Sequence, residues 1–484
     1  MSFTAHGRYQ GLPFAAQGRS GGVLELHGNR RGTFPIDLQA SVGQTRLKAA
    51  GSVSQLASLG ALNLNLEIQG PSLRELNRLV DAVLPATRAY QLKGCLKKEG
   101  EVWRLSGMQG VLGRSDLAGD VVFDHSGKKP LLQGNLQSRR LDFEDLGPLI
   151  GALPAEPASG RAVKRPRPAP QGRVLPAQSI DLARLTRMNA DVSFKADEVR
   201  NTKGVPLERF RTRLQLDDGA LRLDPLVLGV AGGEMTGRLT ATGKGEAARM
   251  AVRLDARALQ LNRLFPTIEQ TRSSLGKVSG FVDLQGRGHS VARWLGSASG
   301  EWGLLMGKGQ ISNILLEFLG LDGGEIVKFL VRGDQNIRLS CSALGFAMAQ
   351  GVMTSRVILL DTVDTVVRGQ GQINLANETL DLVLTPEPKD SSILSMRSPL
   401  RIGGTLAAPE VGPDKTALAG RAGLAIALGM INPLLALAAT VETGPGGDAD
   451  CAQALQTARK STASTGKAAV QGQPGAGPGS AQAR

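Results

Sequence analysis

The sequence predicts a mainly β protein with short helices: an elongated antiparallel sheet built of repeated β units and closed by C-terminal helices. Three observations carry that expectation. Apolar residues alternate with others in run after run, a strand-and-leucine cassette recurs along the chain, and glycine is abundant (62 of 484 residues) while aromatics make up only 4%. Many short strands and turns with few bulky anchors give such a composition, and a large α/β enzyme does not.

Residues 1–150 read as strand and turn. Val23, Leu24 and Leu26, then Phe34, Ile36 and Leu38, then Leu62, Leu64, Leu66 and Ile68 form alternating sets separated by Gly-rich or polar turns. Pro71-Ser72-Leu73 opens a short helix, with Leu73, Leu76, Leu79, Val80 and Val83 at helical spacing. The cassette runs from Thr45 to Val80, again from Ser115 to Ile150, and a third time from Gly233 to Ile268. Each copy has a strand ending near a glycine (Gly51, Gly119, Gly237), one or two further strands, then a leucine-spaced segment. Weak self-similarity of this kind marks a supersecondary unit that stacks on its neighbours.

Between the second and third copies, residues 151–180 hold a Pro/Arg-rich linker or excursion loop, RAVKRPRPAP at its centre. Its charges, Arg161, Lys164, Arg165 and Arg167, either touch anionic headgroups or stay solvated. Strands resume over 181–309, with Val192 and Phe194, Leu214 and Leu216, Leu221 and Leu223, and Val278, Val282 and Leu284. Residues 310–412 hold a helical insert and a further β region. Ile311 to Leu330 predicts helix, with Ile314, Leu315, Phe318 and Leu319, then Ile326, Val327 and Leu330 on one stripe and Gly323-Gly324 as a break. In the β region Leu380, Leu382 and Leu384 share a strand face, Gly371 to Leu375 alternates likewise, and Ala376-Asn377-Glu378 between them reads as a hairpin turn. Residues 413–443 predict two closing helices; the uncharged run Ala422 to Val441 is long enough to span a bilayer, but its alanines, Gly429 and Asn432-Pro433 argue against insertion. The tail, 444–484, is of low complexity and predicts disorder.

Cys341, Phe346, Gly351, Asp361-Thr362, Gly369, Gly371, Ile373 and Leu375, followed by the runs Leu380 to Lys389 and Ser398 to Pro409, stand in an order and spacing that resemble the C-terminal region of the AsmA family of bacterial envelope proteins. The likeness continues through Ala417 to Cys451 and, more loosely, back to residue 1. It implies a curled sheet forming a taco-like groove of repeated β units, anchored in the inner membrane on its periplasmic side and serving phospholipid transport to, and homeostasis of, the outer membrane. Phospholipid, the inner membrane and outer-membrane components are the partners so implied. Members of the family begin with a transmembrane anchor. This sequence opens MSFTAHGRYQGLPF, without a basic segment and an apolar run to follow it, so the expectation is a truncated relative or a misplaced start.

The formal charge of +14 suggests an anionic partner, either nucleic acid or an anionic membrane surface. Neither zinc-finger spacing nor an aromatic RNA-binding signature is present, so nucleic acid is not expected. Cys95, Cys341 and Cys451 have no metal-ligand spacing. In an oxidising compartment Cys341 and Cys451 could pair and leave Cys95 free, or all three are buried thiols. Catalysis finds little support. His6, His27, His125 and His289 are dispersed, Gly286 and Gly288 begin a glycine loop that Val291 breaks off, and Asp361 and Asp364 read as marks of an edge or a turn rather than paired carboxylates. No cofactor, metal or catalytic residue is expected.

One function suits a long sheet with one greasy face. A phospholipid with roughly 30 CH₂ groups costs on the order of 25 kcal/mol to expose to water, so any path outside a membrane must cover its chains throughout. On the order of 25 strands at about 4.8 Å each would give a groove approaching 120 Å. Leu62, Leu64, Leu66, Ile68, Leu380, Leu382 and Leu384 are the candidate lining residues, with plain core packing as the alternative for each. The competing function is a non-enzymatic periplasmic scaffold or assembly factor for outer-membrane proteins.

Overall fold

The computed structural model describes residues 2–9, 11–21, 33–54, 61–77, 84, 86–145, 173–177, 186–200, 207–243, 248–264, 276–312, 336–363, 365–389, 399–413, 450 and 453–454. Their 23 strands join in one long, curled-open sheet. Strands β1 (Ser2–Tyr9), β2 (Leu12–Ser20), β3 (Thr33–Val42), β4 (Thr45–Ser54), β5 (Ala61–Gly70), β6 (Tyr90–Glu99), β7 (Val102–Leu112), β8 (Ser115–Asp124) and β9 (Leu131–Asp142) form a first meander, each antiparallel to the next. A second meander runs through β10 (Asn189–Arg200), β11 (Leu207–Asp217), β12 (Ala220–Val230), β13 (Gly233–Thr242), β14 (Arg249–Gln260), β15 (Lys277–Arg287) and β16 (Ser299–Met306). It continues through β18 (Asn336–Ala349), β19 (Val352–Thr362), β20 (Thr365–Asn374), β21 (Thr379–Pro388), β22 (Leu400–Gly404) and β23 (Pro409–Pro413). The short β17 (Gly309–Ser312) follows β16 end to end along the same side of β18. At about 4.8 Å per strand spacing the sheet extends roughly 100 Å along its hydrogen bonds.

The expected antiparallel order breaks at one seam. β10 lies parallel to β9, with Asn189 opposite Leu131 and Arg200 opposite Asp142. A parallel pair requires a crossover that returns the chain to the starting side, and residues 143–188, which contain the Pro/Arg-rich stretch, are that crossover. Its middle described part, residues 173–177, is pinned far away on the sheet. Val174 N–H donates to Glu378 Oε2 at 2.6 Å in the β20–β21 hairpin, and Ala292 N–H donates to the Pro176 carbonyl at 2.9 Å.

The described helices are short: a 3-10 turn at Leu73–Leu76, α1 (Leu261–Leu264) and α2 (Val291–Gly296). Ser72 and Ser290 cap the first and third, each hydroxyl accepting a main-chain N–H from the first turn. The helix expected from Ile311 begins instead as strand, because Ile311 and Ser312 pair with Ile337 and Asn336; residues 313–335 lie outside the described residues. Closure of the sheet by C-terminal helices is not observed, since residues 414–449 are not described. Of the segment beyond, Ala454 is buried with Leu305, Cys341, Ala343, Leu359 and Val366. It therefore packs on the face of the sheet opposite Leu304 and Leu344.

The cassette glycines explain how the sheet curls. A methyl group at Gly51, Gly119 or Gly237 would come within 2.1, 2.0 and 1.9 Å of the neighbouring strand's carbonyl oxygen, respectively. Each stands opposite a leucine, namely Leu64, Leu136 and Leu254. Missing side chains on the leucine face let adjacent strands close on that side, which bends the sheet around its apolar surface.

Candidate functional site

The two faces differ in chemistry along the whole sheet. In β5 the half-buried Leu62, Leu64 and Leu66 alternate with exposed Asn63 and Asn65. Following register from Leu64 gives the course of the inner face. Ile36 and Gly51 precede it; Leu96, Leu105, Val121 and Gly134 carry the row to the parallel seam. Val192 takes it across the seam, and Leu214, Leu223, Leu239 and Val252 continue it. Leu284, Gly300, Met348, Met353 and Ile373 then bring it to Leu380. This row joins the two groups of candidate lining residues and contains no polar side chain.

On the outer face the same strands carry ion pairs. Arg213 holds Asp191 with Nη2 2.6 Å from Oδ2, and Arg356–Glu301, Arg368–Glu387 and Arg401–Asp381 lie at 2.9, 3.2 and 3.0 Å. The Arg213 guanidinium, by its hydrogen bonds and charge, keeps the Asp191 carboxyl below the usual carboxylate range. The exposed pairs among these are worth at most about 1 kcal/mol each, whereas Glu301 is buried, its side chain 11% exposed.

The inner face is closed along one rim, the one at which β5, β9 and β14 end. Here Tyr90, Leu92 and Met108 pack with Ile68 and with Leu73 and Leu76 of the 3-10 turn. Leu141, Ala196 and Val199 come next, then Val230, Leu259, Val278, Met306 and Leu339 under α1, then Val367, Leu384 and Leu400. Burial pushes the Tyr90 hydroxyl's pKa up from its ordinary value. Among the described residues the opposite rim has one such cluster, in the second meander, where Trp294 of α2 lies on Leu284, Phe346, Met348 and Met353 and its indole N–H donates to the Met250 carbonyl at 3.0 Å. Trp302 stacks on Phe346 in the same group at 5.1 Å. In the first meander this second rim holds the buried pair Phe34 and Val53, 8% and 3% exposed.

The candidate residues accordingly divide. Ile68 and Leu384 belong to rim cores, the latter 8% exposed. Leu382 touches the α2 cluster. Leu62, Leu64, Leu66 and Leu380 are half-buried and belong to no core cluster. Cys341 is disulfide-bonded and Cys95 is free; Cys451, its expected partner, lies outside the described residues. Asp361 does not mark an edge, because β19 is paired on both sides. It precedes the β19–β20 turn, is 1% exposed, and accepts a hydrogen bond from Lys389 Nζ at 2.7 Å. Asp364 and the apolar run Ala422 to Val441 lie outside the described residues. Among the described residues no helix is long and apolar enough to cross a membrane.

Three inner-face residues escaped notice in the sequence: Lys98, Trp103 and Phe123. They pair in succession with Leu62, as Leu62–Lys98, Lys98–Trp103 and Trp103–Phe123. The signal was legible, since Lys98 stands in the alternating phase of Leu92, Gly94 and Leu96, where a leucine would be expected.

Comparison with known proteins agrees with the strand pattern. A family model described as AsmA family matches residues 28–358. The chain is similar to the AsmA family protein YhjG of Escherichia coli (strain K12), with 32% identity over 468 residues that cover 94% of this chain and 68% of that protein. No solved structure matches it. With the family model spanning most of the chain and the identity holding along nearly all of it, the chain belongs to the AsmA family.

Proposed function

We propose that this envelope-associated protein is a non-catalytic conduit for phospholipid between the inner and outer membranes, with acyl chains carried on the inner face of the sheet. The observation that supports the reading is the apolar row from Leu64 to Leu380, unbroken across the parallel seam. A lipid moving along it exchanges one apolar neighbour for the next. At about 0.8 kcal/mol per CH₂, a single polar gap several carbons wide would already raise a barrier of several kcal/mol. A pocket for one ligand needs a closed cavity with a few polar anchors, whereas this surface is long and nearly uniform in chemistry, running under Trp294 of α2 at Leu284, Met348 and Met353. Anchoring on the periplasmic side of the inner membrane and delivery to outer-membrane components are part of the same proposal and rest on family membership.

The test is lipid extraction and mass spectrometry on protein purified without detergent from a periplasmically targeted expression, with denatured protein as the control. One or more phospholipids per folded chain is the expected result. Lipid-free, folded protein would shift the function to an envelope scaffold.

A further inference from the structure

We propose that the uncharged run Ala422 to Val441 docks on the outer face of β16, β18, β19 and β20, as a second layer behind the groove, and does not enter a membrane. The inference is independent of what the inner face carries. On that outer face Leu305, Cys341, Ala343, Leu359 and Val366 are 7%, 3%, 1%, 3% and 0% exposed, with the half-buried Val357 packed against them. Register sets them side by side, Leu305 opposite Ala343, Ala343 opposite Leu359, and Cys341 and Val366 both opposite Asp361. A single sheet leaves such a face in water, as it does at the exposed Asn63 and Asn65 of β5. Four strands are about 14 Å wide, and Ala454, which lies on this patch, brings only a methyl group to it. More chain than Ala454 therefore covers the patch.

The segment that leads to Ala454 fits by position and by chemistry. β23 ends at Pro413, with β22, β21, β20 and β19 between it and β18, a distance of about 24 Å along the sheet. Residues 414–449 run from that edge back to the patch, and even as helix they span roughly 54 Å, enough to cross it and turn once. Asn432-Pro433 in the middle of the run disfavours a continuous helix and divides it into two short pieces, the form in which helices layer on a sheet. Cys341, inside the patch, is disulfide-bonded while Cys95 is free, which leaves Cys451, shortly before Ala454, as the chain's remaining cysteine. The ion pairs at the borders of the patch point the same way. Asp361 and Glu301, held by Lys389 and Arg356, are 1% and 11% exposed at their side chains, whereas Asp191 and Asp381 elsewhere on the outer face are 32% and 64% exposed. One layer over the patch accounts for both buried acids, and an uncharged occupant leaves both pairs intact.

Two neighbouring positions test the placement in the full-length protein, since Val357 packs with the outer patch and Ile358 with the inner-face cores. A photo-reactive benzoylphenylalanine would be set at each in turn and its attachment sites read by mass spectrometry, with and without vesicles of dioleoyl phosphatidylglycerol. Attachment within residues 422–441 is expected at least five times as often from position 357 as from 358, and vesicles should not change it. Attachment from 358 in place of 357 would put the run in the groove, and attachment from 357 that vanishes with vesicles would put it in the bilayer. Attachment from neither would give the patch another occupant, and each of these three results overturns the proposal. Circular dichroism on both variants establishes that the sheet is formed. The unsubstituted protein supplies a second reading that needs no variant. Met430, within the run, should be oxidised by hydroxyl radicals at least five times more slowly in the folded protein, free of vesicles and detergent, than after unfolding in urea. Equal rates would overturn the docking.

Discussion

At the scale of single residues, the fold depends on what certain glycines lack. Gly237 faces the Arg253 carbonyl oxygen so closely that a methyl group would sit 1.9 Å from it, and its pairing partner is Leu254 on the curled face. Backbone cannot swing aside as a flexible side chain can. Gly237→Ala is therefore expected to destabilise the protein by about 1–3 kcal/mol, the usual cost of forcing extra volume into a packed position. Gly307 makes the comparison, because nothing lies within 4 Å of the same added atom; Gly307→Ala should change stability by no more than about 0.5 kcal/mol. Urea unfolding followed by circular dichroism measures both. Equal effects would mean that the close approach at Gly237 is not what shapes the sheet.

Among the elements, the end of β19 shows a buried charge held by its neighbour. Asp361 and Lys389 are 1% and 14% exposed at their side chains, with Nζ and Oδ1 2.7 Å apart. Removing one partner takes from a buried charge the ion pair that holds it, which costs about 3–5 kcal/mol, whereas removing both is often close to neutral. Lys389→Met should accordingly lower the unfolding midpoint sharply, and the double variant Lys389→Met with Asp361→Asn should recover most of the loss; additive losses in urea unfolding would refute that coupling. Much at this scale was legible in the sequence. The alternation at Leu62 to Ile68 and at Leu380 to Leu384 marked strands because strand periodicity is local, and Ala376 to Glu378 marked a turn, observed between Asn374 and Thr379. What escaped is nonlocal. The parallel pairing of β10 with β9, the contact of Val174 with Glu378 and the pairing of Ile311 with Ile337 depend on partners distant in the chain, and no local pattern encodes them. The rim cores that claim Ile68 and Leu384 were hidden for the same reason: alternation tells which face a leucine takes, and not what covers it.

For the whole molecule the issue is continuity, because a conduit differs from a binding site in needing every strand. Leu214 lies midway along the inner row, between Val192 and Leu223. A carboxylate there would hold its water and divide the apolar path into two stretches, each still able to cover acyl chains. Leu214→Glu should therefore lower phospholipid transfer between donor and acceptor vesicles at least tenfold, while bound lipid per chain falls by no more than about half. Arg211→Glu changes the formal charge by more, but on the exposed outer face of the same strand, and should leave both quantities near wild type. Separation of transfer from binding is the distinguishing result. If both fell together in Leu214→Glu, lipid would be held at one local site; if neither changed, the inner row would not be the route. The parallel seam makes Leu214 a demanding position for the test. Its partner Val192 belongs to the strand that reverses the meander's direction, and the apolar row survives that reversal only because Val192 stands level with Gly134. A register shift of one residue would have brought Asp191 or Ser193 to that level and interrupted the row with a polar side chain.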